Sequence, residues 1–317
     1  MSSHQPAPDQ DLTDRVRIKD RIEYVVFLCF YRALHALPRS VASRVGALLG
    51  SALSFVLRQQ RRVALANLRI AFPEKSERER RAILRRSCRN LGRVGAEFCH
   101  LESLTGETVR DYIALQDTEL WQKAVVDRHG GAVVLTAHLG NWELLAYAHG
   151  LLGHPVTIVH RPLRNPLIDR FINGVRARAG TRHINKKAAA REALRSLRNG
   201  DLVVIPSDQN QTRRFGVFVN LFGLPASTTP GAPRLAMHAG VPVIPAFLVR
   251  EGESDRFRLV ILPPVELAQS GDRAADIVTS TQRCSDAIEC MLRQHPDQWI
   301  WFHKRWRTRP EGTARIY

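Results

Sequence analysis

The chain has 317 residues, 44% hydrophobic and 24% charged, which allows one large or two smaller packed cores and excludes a disordered chain. Lys and Arg outnumber Asp and Glu 47 to 30, and the formal net charge of +17 suits anionic partners: nucleic acid, an acidic membrane face, a phosphorylated substrate or an acidic carrier protein. Cys29, Cys88, Cys99, Cys284 and Cys290 form no C-x-x-C pair and no zinc-type cluster with His, so we expect reduced thiols, no disulfide framework and no metal site.

Residues 1–20 are polar, carry both signs of charge and lack the apolar core of a signal peptide, which predicts a disordered tail. Residues 21–60 hold two apolar runs, Tyr24 to Tyr31 and Val45 to Leu57, the second rich in Gly46, Gly50, Ser51 and Ser54 and ended by Arg58, Arg61 and Arg62. Neither reaches the roughly 20 apolar residues of a spanning helix. The favoured expectation is a membrane-anchoring helical hairpin in one leaflet, with Tyr24, Tyr31 and the arginines at the headgroups. Two core helices are the plain alternative, and a first helix crossing at a tilt is a third. Residues 61–317 form the remaining domain. Its first part is helical and basic, broken at Phe72-Pro73 and restarted by a capping box of Ser76 with Glu79.

From Ala132 onward, strand patterns alternate with helix patterns. Strands are expected at 132–136, 156–159, 202–206, 241–249 and 257–262, and helices at 167–179, 188–197, 233–238 and 274–293. That alternation argues for an α/β sandwich on a largely parallel sheet, whose ligands bind at the carboxyl ends of the strands. Several polar groups fall at such ends. His138, Asn141 and Glu143 follow the first strand, and an imidazole there can take a hydroxyl proton while Glu143 orients it. Arg161 and Arg164 follow the second strand, suited to a phosphate or an oxyanion, or simply surface charges. Asp208 follows the third, as a substrate contact, an arginine partner or a turn residue.

Two further stretches carry open readings. Residues 219–231 read as a loop of small and hydroxyl residues whose backbone N–H groups suit an anion at a helix start, or as an ordinary cap. Trp299, Trp301 and Trp306, interleaved with Lys304, Arg305, Arg307 and Arg309, suit single-stranded nucleic acid or a collar at a membrane surface, and the apolar hairpin favours the collar.

At these residues the chain resembles the bacterial lauroyl/myristoyl-type acyltransferases of lipid A biosynthesis, within the lysophospholipid acyltransferase superfamily. The His-x4-Asp/Glu pattern stands as His138 to Glu143, and four more blocks follow the family: 67–74, 160–166, 221–229 and 301–312. The likeness covers all but the N-terminal tail. It implies a glycerol-3-phosphate-acyltransferase-like sandwich preceded by a membrane-anchoring segment. It also implies transfer of an acyl chain from an acyl carrier protein thioester, or acyl-coenzyme A, to a hydroxyl of an anionic glycolipid at the cytoplasmic face of the bacterial inner membrane. No cofactor and no nucleic acid are expected. On chemical grounds His138 is the base and Glu143 its orienting partner, while Arg161, Arg164, Asp208 and Asn141 stabilise the oxyanion or bind substrate. Rival readings are a basic nucleic-acid-binding protein and a thioesterase that activates water with the same dyad. No G-x-S-x-G element marks a serine hydrolase.

Overall fold

The computed structural model describes residues 16–115, 119, 130–154, 156–160, 162–185 and 189–317. Among the described residues there are nine strands: β1 Ile113–Leu115, β2 Ala132–Thr136, β3 Val156–His160, β4 Arg182–Asn185, β5 Leu202–Pro206, β6 Val217–Leu221, β7 Leu224–Thr228, β8 Val243–Arg250 and β9 Phe257–Ile261. Seven of them make one sheet in the order β1-β9-β8-β2-β5-β3-β4. Its pairings are parallel except β8 with β9, so the expected mostly parallel sheet is present with an antiparallel step near one edge.

Helices cover both faces, as a sheet buried on two sides requires. In chain order they are α1 Ile18–His35, α2 Arg39–Val56, α3 Arg58–Ala71, α4 Glu77–Phe98, α5 Trp142–Leu151, α6 Pro166–Ala177, α7 Ala189–Arg198, α8 Gly231–Ala239 and α9 Arg273–Gln294. Residue alternation along β2 sorts the two cores. Val133 and Leu135 face a layer built from α3, α4, α7, α8 and α9, while Ala132 and Val134 face α5 and α6. All five side chains of β2 are buried, and each fully buried Val or Leu contributes about 1.5–3 kcal/mol. The connections leaving β2 and β5 therefore run over opposite faces, which parts the loops at their carboxyl ends and opens the crevice where α/β sheets bind ligands.

The two N-terminal apolar runs are helices α1 and α2, but each is seated on the rest of the fold. Phe171 of α6 sits against Tyr24, Phe27 and Tyr31 of α1, with ring centroids 6.3, 5.6 and 4.8 Å away. Helix α2 crosses α4 so closely that a Cβ on Gly50 would lie 2.1 Å from the Cys88 carbonyl, and one on Gly92 2.0 Å from the Gly46 carbonyl. The small residues of the second run are thus a helix-packing face. The tilted spanning helix is corrected: among the described residues no single helix is long and apolar enough to cross a membrane. One pair, α2 with α3, meets that test jointly but is bent by 94°. Of the expected tail at 1–20, residues 1–15 lie outside the described residues, and α1 already begins at Ile18.

The stretch 219–231 is also corrected. Most of it is a β-hairpin, β6 paired with β7, rather than a loop. Its two-residue turn is Phe222-Gly223, with φ of 51° and 80°, the left-handed pair that a type I′ turn demands. The turn N–H groups are already bound, Phe222 to Glu289 and Gly223 to Asn220, so they are not presented to an anion.

Candidate active site

The crevice at the ends of β2 and β5 brings His138 and Asp208 together. Gly140 lets the chain turn sharply after β2: its φ is +64°, and a Cβ there would lie 1.9 Å from the Leu248 carbonyl. The N–H of Gly140 donates to the Gln298 carbonyl and that of Asn141 to the Leu248 carbonyl, so neighbouring backbone holds both sides of the turn. His138 keeps 24% of its side chain exposed, while the Asp208 side chain is 2% exposed.

Nδ1 of His138 lies 2.9 Å from Oδ1 of Asp208, and the His138 backbone N–H donates to Oδ2 at 3.1 Å. Trp299 Nε1 donates to the same Oδ2 at 2.8 Å. An ionised carboxylate can only accept, so Nδ1 carries the proton and Nε2 holds the lone pair. Burial opposes a charged imidazole, but the charge and hydrogen bond of Asp208, with the charge of Glu143, outweigh it and raise the His138 pKa. Burial also works against an ionised Asp208, yet the His138 charge, its two hydrogen bonds and the Trp299 donor hold the carboxyl far below the usual range. A neutral, partly exposed imidazole with a charge-compensating carboxylate behind it is equipped to remove a proton from a bound hydroxyl.

The sequence assigned the orienting role to Glu143, and the structure gives it to Asp208. The reason is reach: Glu143 lies in the first turn of α5 and turns to Arg176 of α6. Its Oε1 accepts from Arg176 Nη2 at 2.5 Å and its Oε2 from Nε at 2.9 Å, with Trp142 Nε1 donating to Oε1 at 3.2 Å. Glu143 acts on the imidazole through its charge, and the Trp142 ring packs edge-on to the imidazole at 5.4 Å.

Asn141 is corrected as well. It is 1% exposed, its Oδ1 caps α5 at the Leu144 N–H and its Nδ2 donates to Glu97, so its side chain is buried in the fold and turned to structural partners. Arg164 is exposed in the loop after β3, beside the strand that delivers Asp208. Arg161 lies outside the described residues. The tryptophan-rich tail is not a surface collar: Trp299, Trp301 and Trp306 are each at most 1% exposed, and Trp299 forms a β-bridge with Leu139 as well as its bond to Asp208. His303 joins in, accepting the Asn210 N–H at Nε2 and so bracing the loop that carries Asp208. Arg176 and Trp299 were missed by sequence reasoning because their partners lie 33 and 91 residues away. Among the described residues no group of three or more His, Cys, Asp or Glu side chains is arranged to hold a metal.

A family model of bacterial lipid A biosynthesis acyltransferases matches residues 13–308. The chain is 27% identical over 282 residues to the lipid A biosynthesis lauroyltransferase of Escherichia coli K12, covering 89% of this chain and 90% of that one. It is 26% identical over 286 residues to the palmitoleoyltransferase of the same strain, covering 89% and 90%. A lipid A biosynthesis acyltransferase of Haemophilus influenzae is 26% identical over 295 residues, covering 92% of each chain. With a match across nearly its whole length, the chain is an acyltransferase and belongs to the bacterial lipid A biosynthesis acyltransferase family.

Proposed function

We propose that this enzyme transfers a fatty acyl chain from an acyl carrier protein thioester to a hydroxyl of a lipid A precursor or related anionic glycolipid, with His138 as the general base. Nε2 takes the hydroxyl proton, the oxygen attacks the thioester carbonyl, and the C–S bond breaks as the thiolate recovers the proton from the imidazolium. Asp208 compensates the transient imidazolium, so no protein nucleophile and no acyl-enzyme are required. Arg161 and Arg164 are assigned to the oxyanion or to a phosphate of the acceptor, as fixed multiple donors. The observation that carries this reading is the Nδ1 contact with Asp208, which leaves Nε2 as the basic nitrogen of a side chain that stays 24% exposed.

The reading places the enzyme on the cytoplasmic face of the bacterial inner membrane. Supporting it, Ile18, Ile22, Val25, Val26 and Phe30 expose one apolar stripe along α1, and Leu48, Leu53, Phe55 and Val56 are exposed on α2. Arg58 and Arg62 follow at once on α3, and Arg78, Arg81 and Arg85 lie exposed on one side of α4, suited to acidic lipid or an acidic carrier.

The test is mass spectrometry of glycolipid product with acyl carrier protein thioester or acyl-coenzyme A as donor. The wild type is expected to form ester from the carrier thioester, and His138→Ala to lose about 10²- to 10⁴-fold in rate while remaining folded. Near-normal turnover by that variant removes the base, and free fatty acid released without ester formation makes the protein a thioesterase.

A further inference from the structure

Behind the base lies an ion pair that acid–base chemistry does not itself use. Glu97 near the end of α4 and Arg250 at the end of β8 have side chains 1% and 2% exposed. Arg250 Nη1 donates to Glu97 Oε1 at 2.7 Å and Nη2 to Oε2 at 2.8 Å. Two more donors complete the carboxylate: Ser43 Oγ of α2 at 3.2 Å and Asn141 Nδ2 at 2.8 Å. Arg250 Nε donates to Asn90 Oδ1 at 3.0 Å, and Asn90 Nδ2 in turn donates to the Gly140 carbonyl at 3.1 Å. Gln298 bonds the Arg250 backbone at both ends and accepts the Gly140 N–H.

Two features single this network out. Buried ion pairs contribute little net stability compared with apolar replacements of similar volume, so stability alone does not account for this one. Its outer bonds converge on Gly140 and Asn141, two of the four residues between His138 and Glu143, and its far end reaches α2. We propose that Glu97, fixed by Arg250, is a positioning residue: it holds the Gly140-Asn141 turn from below, sets the direction of the His138 imidazole, and ties the helix with the apolar outer face to the base. The inference rests on the reading of His138 as base, yet it concerns where the imidazole sits and can be tested apart from turnover.

Asn141→Ser is the informative change. Serine still caps α5 at the Leu144 N–H, and Glu97 keeps Arg250 and Ser43, so no buried charge is orphaned. A second variant, Glu97→Met/Arg250→Met, removes both charges together and avoids the lone buried charge that either single change would leave. Three readouts are compared in each: melting temperature, kcat and KM for acyl transfer, and the ¹⁵N imidazole resonances of His138, identified by their loss in His138→Gln. The expected result is a melting temperature near wild type, KM within about twofold, kcat lowered about ten- to a hundredfold, and displaced His138 resonances. Wild-type kcat and resonances in Asn141→Ser overturn the proposal. A loss of rate with unmoved resonances overturns it too, because the network then serves only the fold. If the double variant does not fold, Asn141→Ser decides alone. If the wild type acylates no glycolipid, the proposed function fails, and the resonances still decide the positioning.

Discussion

An imidazole acts as a base through one nitrogen only when the other keeps its proton, and Asp208 fixes that choice here through the 2.9 Å contact at Nδ1. The same carboxylate raises the His138 pKa above its ordinary 6.5 against the cost of burial. With His138 in the proposed role of base, only the neutral form is active, so kcat/KM is expected to fall as pH drops through that raised value, an acid limb lying above 6.5. Asp208→Asn removes the two larger contributions that raise the pKa, leaving only the Glu143 charge against burial. The limb should then move to lower pH, and kcat should drop by about 10³- to 10⁴-fold because the imidazolium loses its counter-charge and the tautomer its lock. A pH–rate profile of the two proteins measures both effects; an unmoved limb would assign the titration to another group. Glu143, clamped by Arg176, is a charge near the imidazole rather than its hydrogen-bond partner.

At the scale of elements, the close crossing of α2 and α4 sets where the apolar helices sit. Gly92 faces the Gly46 carbonyl, a backbone atom that cannot swing away, so Gly92→Val must spread the pair. The expected cost is about 1–3 kcal/mol or more, read as a lower urea midpoint with an unchanged slope. Unchanged stability would mean that the crossing is looser than described. The glycines of the second run were visible in the sequence, but their purpose was not, because small residues suit helix packing in water and in lipid alike. Much else was legible for a simple reason. β2, β5 and β8 are near-continuous apolar runs, as strands buried on both faces must be, and β3 and β9 are broken inside only by Thr157 and Arg258. The short β1 and β4 carry too few apolar residues to register, and the β6–β7 hairpin hides because its turn is Phe-Gly rather than Asn-Gly. At the site, His138 and Asp208 stood out as polar residues ending apolar strands. Their pairing did not, since the sheet order that sets β5 beside β2 depends on crossovers over opposite faces. The tryptophans misled for a related reason: Trp beside Arg reads as surface, whereas Trp299 and Trp301 pack edge-to-face at 4.6 Å inside the core.

For the molecule as a whole, the start of α1 and the start of α2 are tied to the loops at the carboxyl ends of the strands. Asn165, which caps α6 after β3, donates to the Asp20 carbonyl of α1, and Ser43 of α2 reaches Glu97 beneath the turn that follows β2. On the proposed membrane reading, a lipid acceptor held by its chains beside α1 would meet the enzyme without leaving the bilayer, and the exposed side chains of α1 are the place to test it. Ile22, Val26 and Phe30 are 60, 64 and 49% exposed, so exchanging all three for Ser removes apolar surface without opening the core. The triple variant is expected to keep its melting temperature, to lose most of its flotation with vesicles containing acidic phospholipid, and to raise the apparent KM for vesicle-borne acceptor more than it lowers kcat. The net charge of +17 adds an electrostatic share, so raising salt from about 0.1 to 1 M, which shortens the screening length from about 10 to 3 Å, should weaken flotation of the wild type as well. Undiminished flotation of the triple variant at high salt would move the docking face elsewhere on the protein.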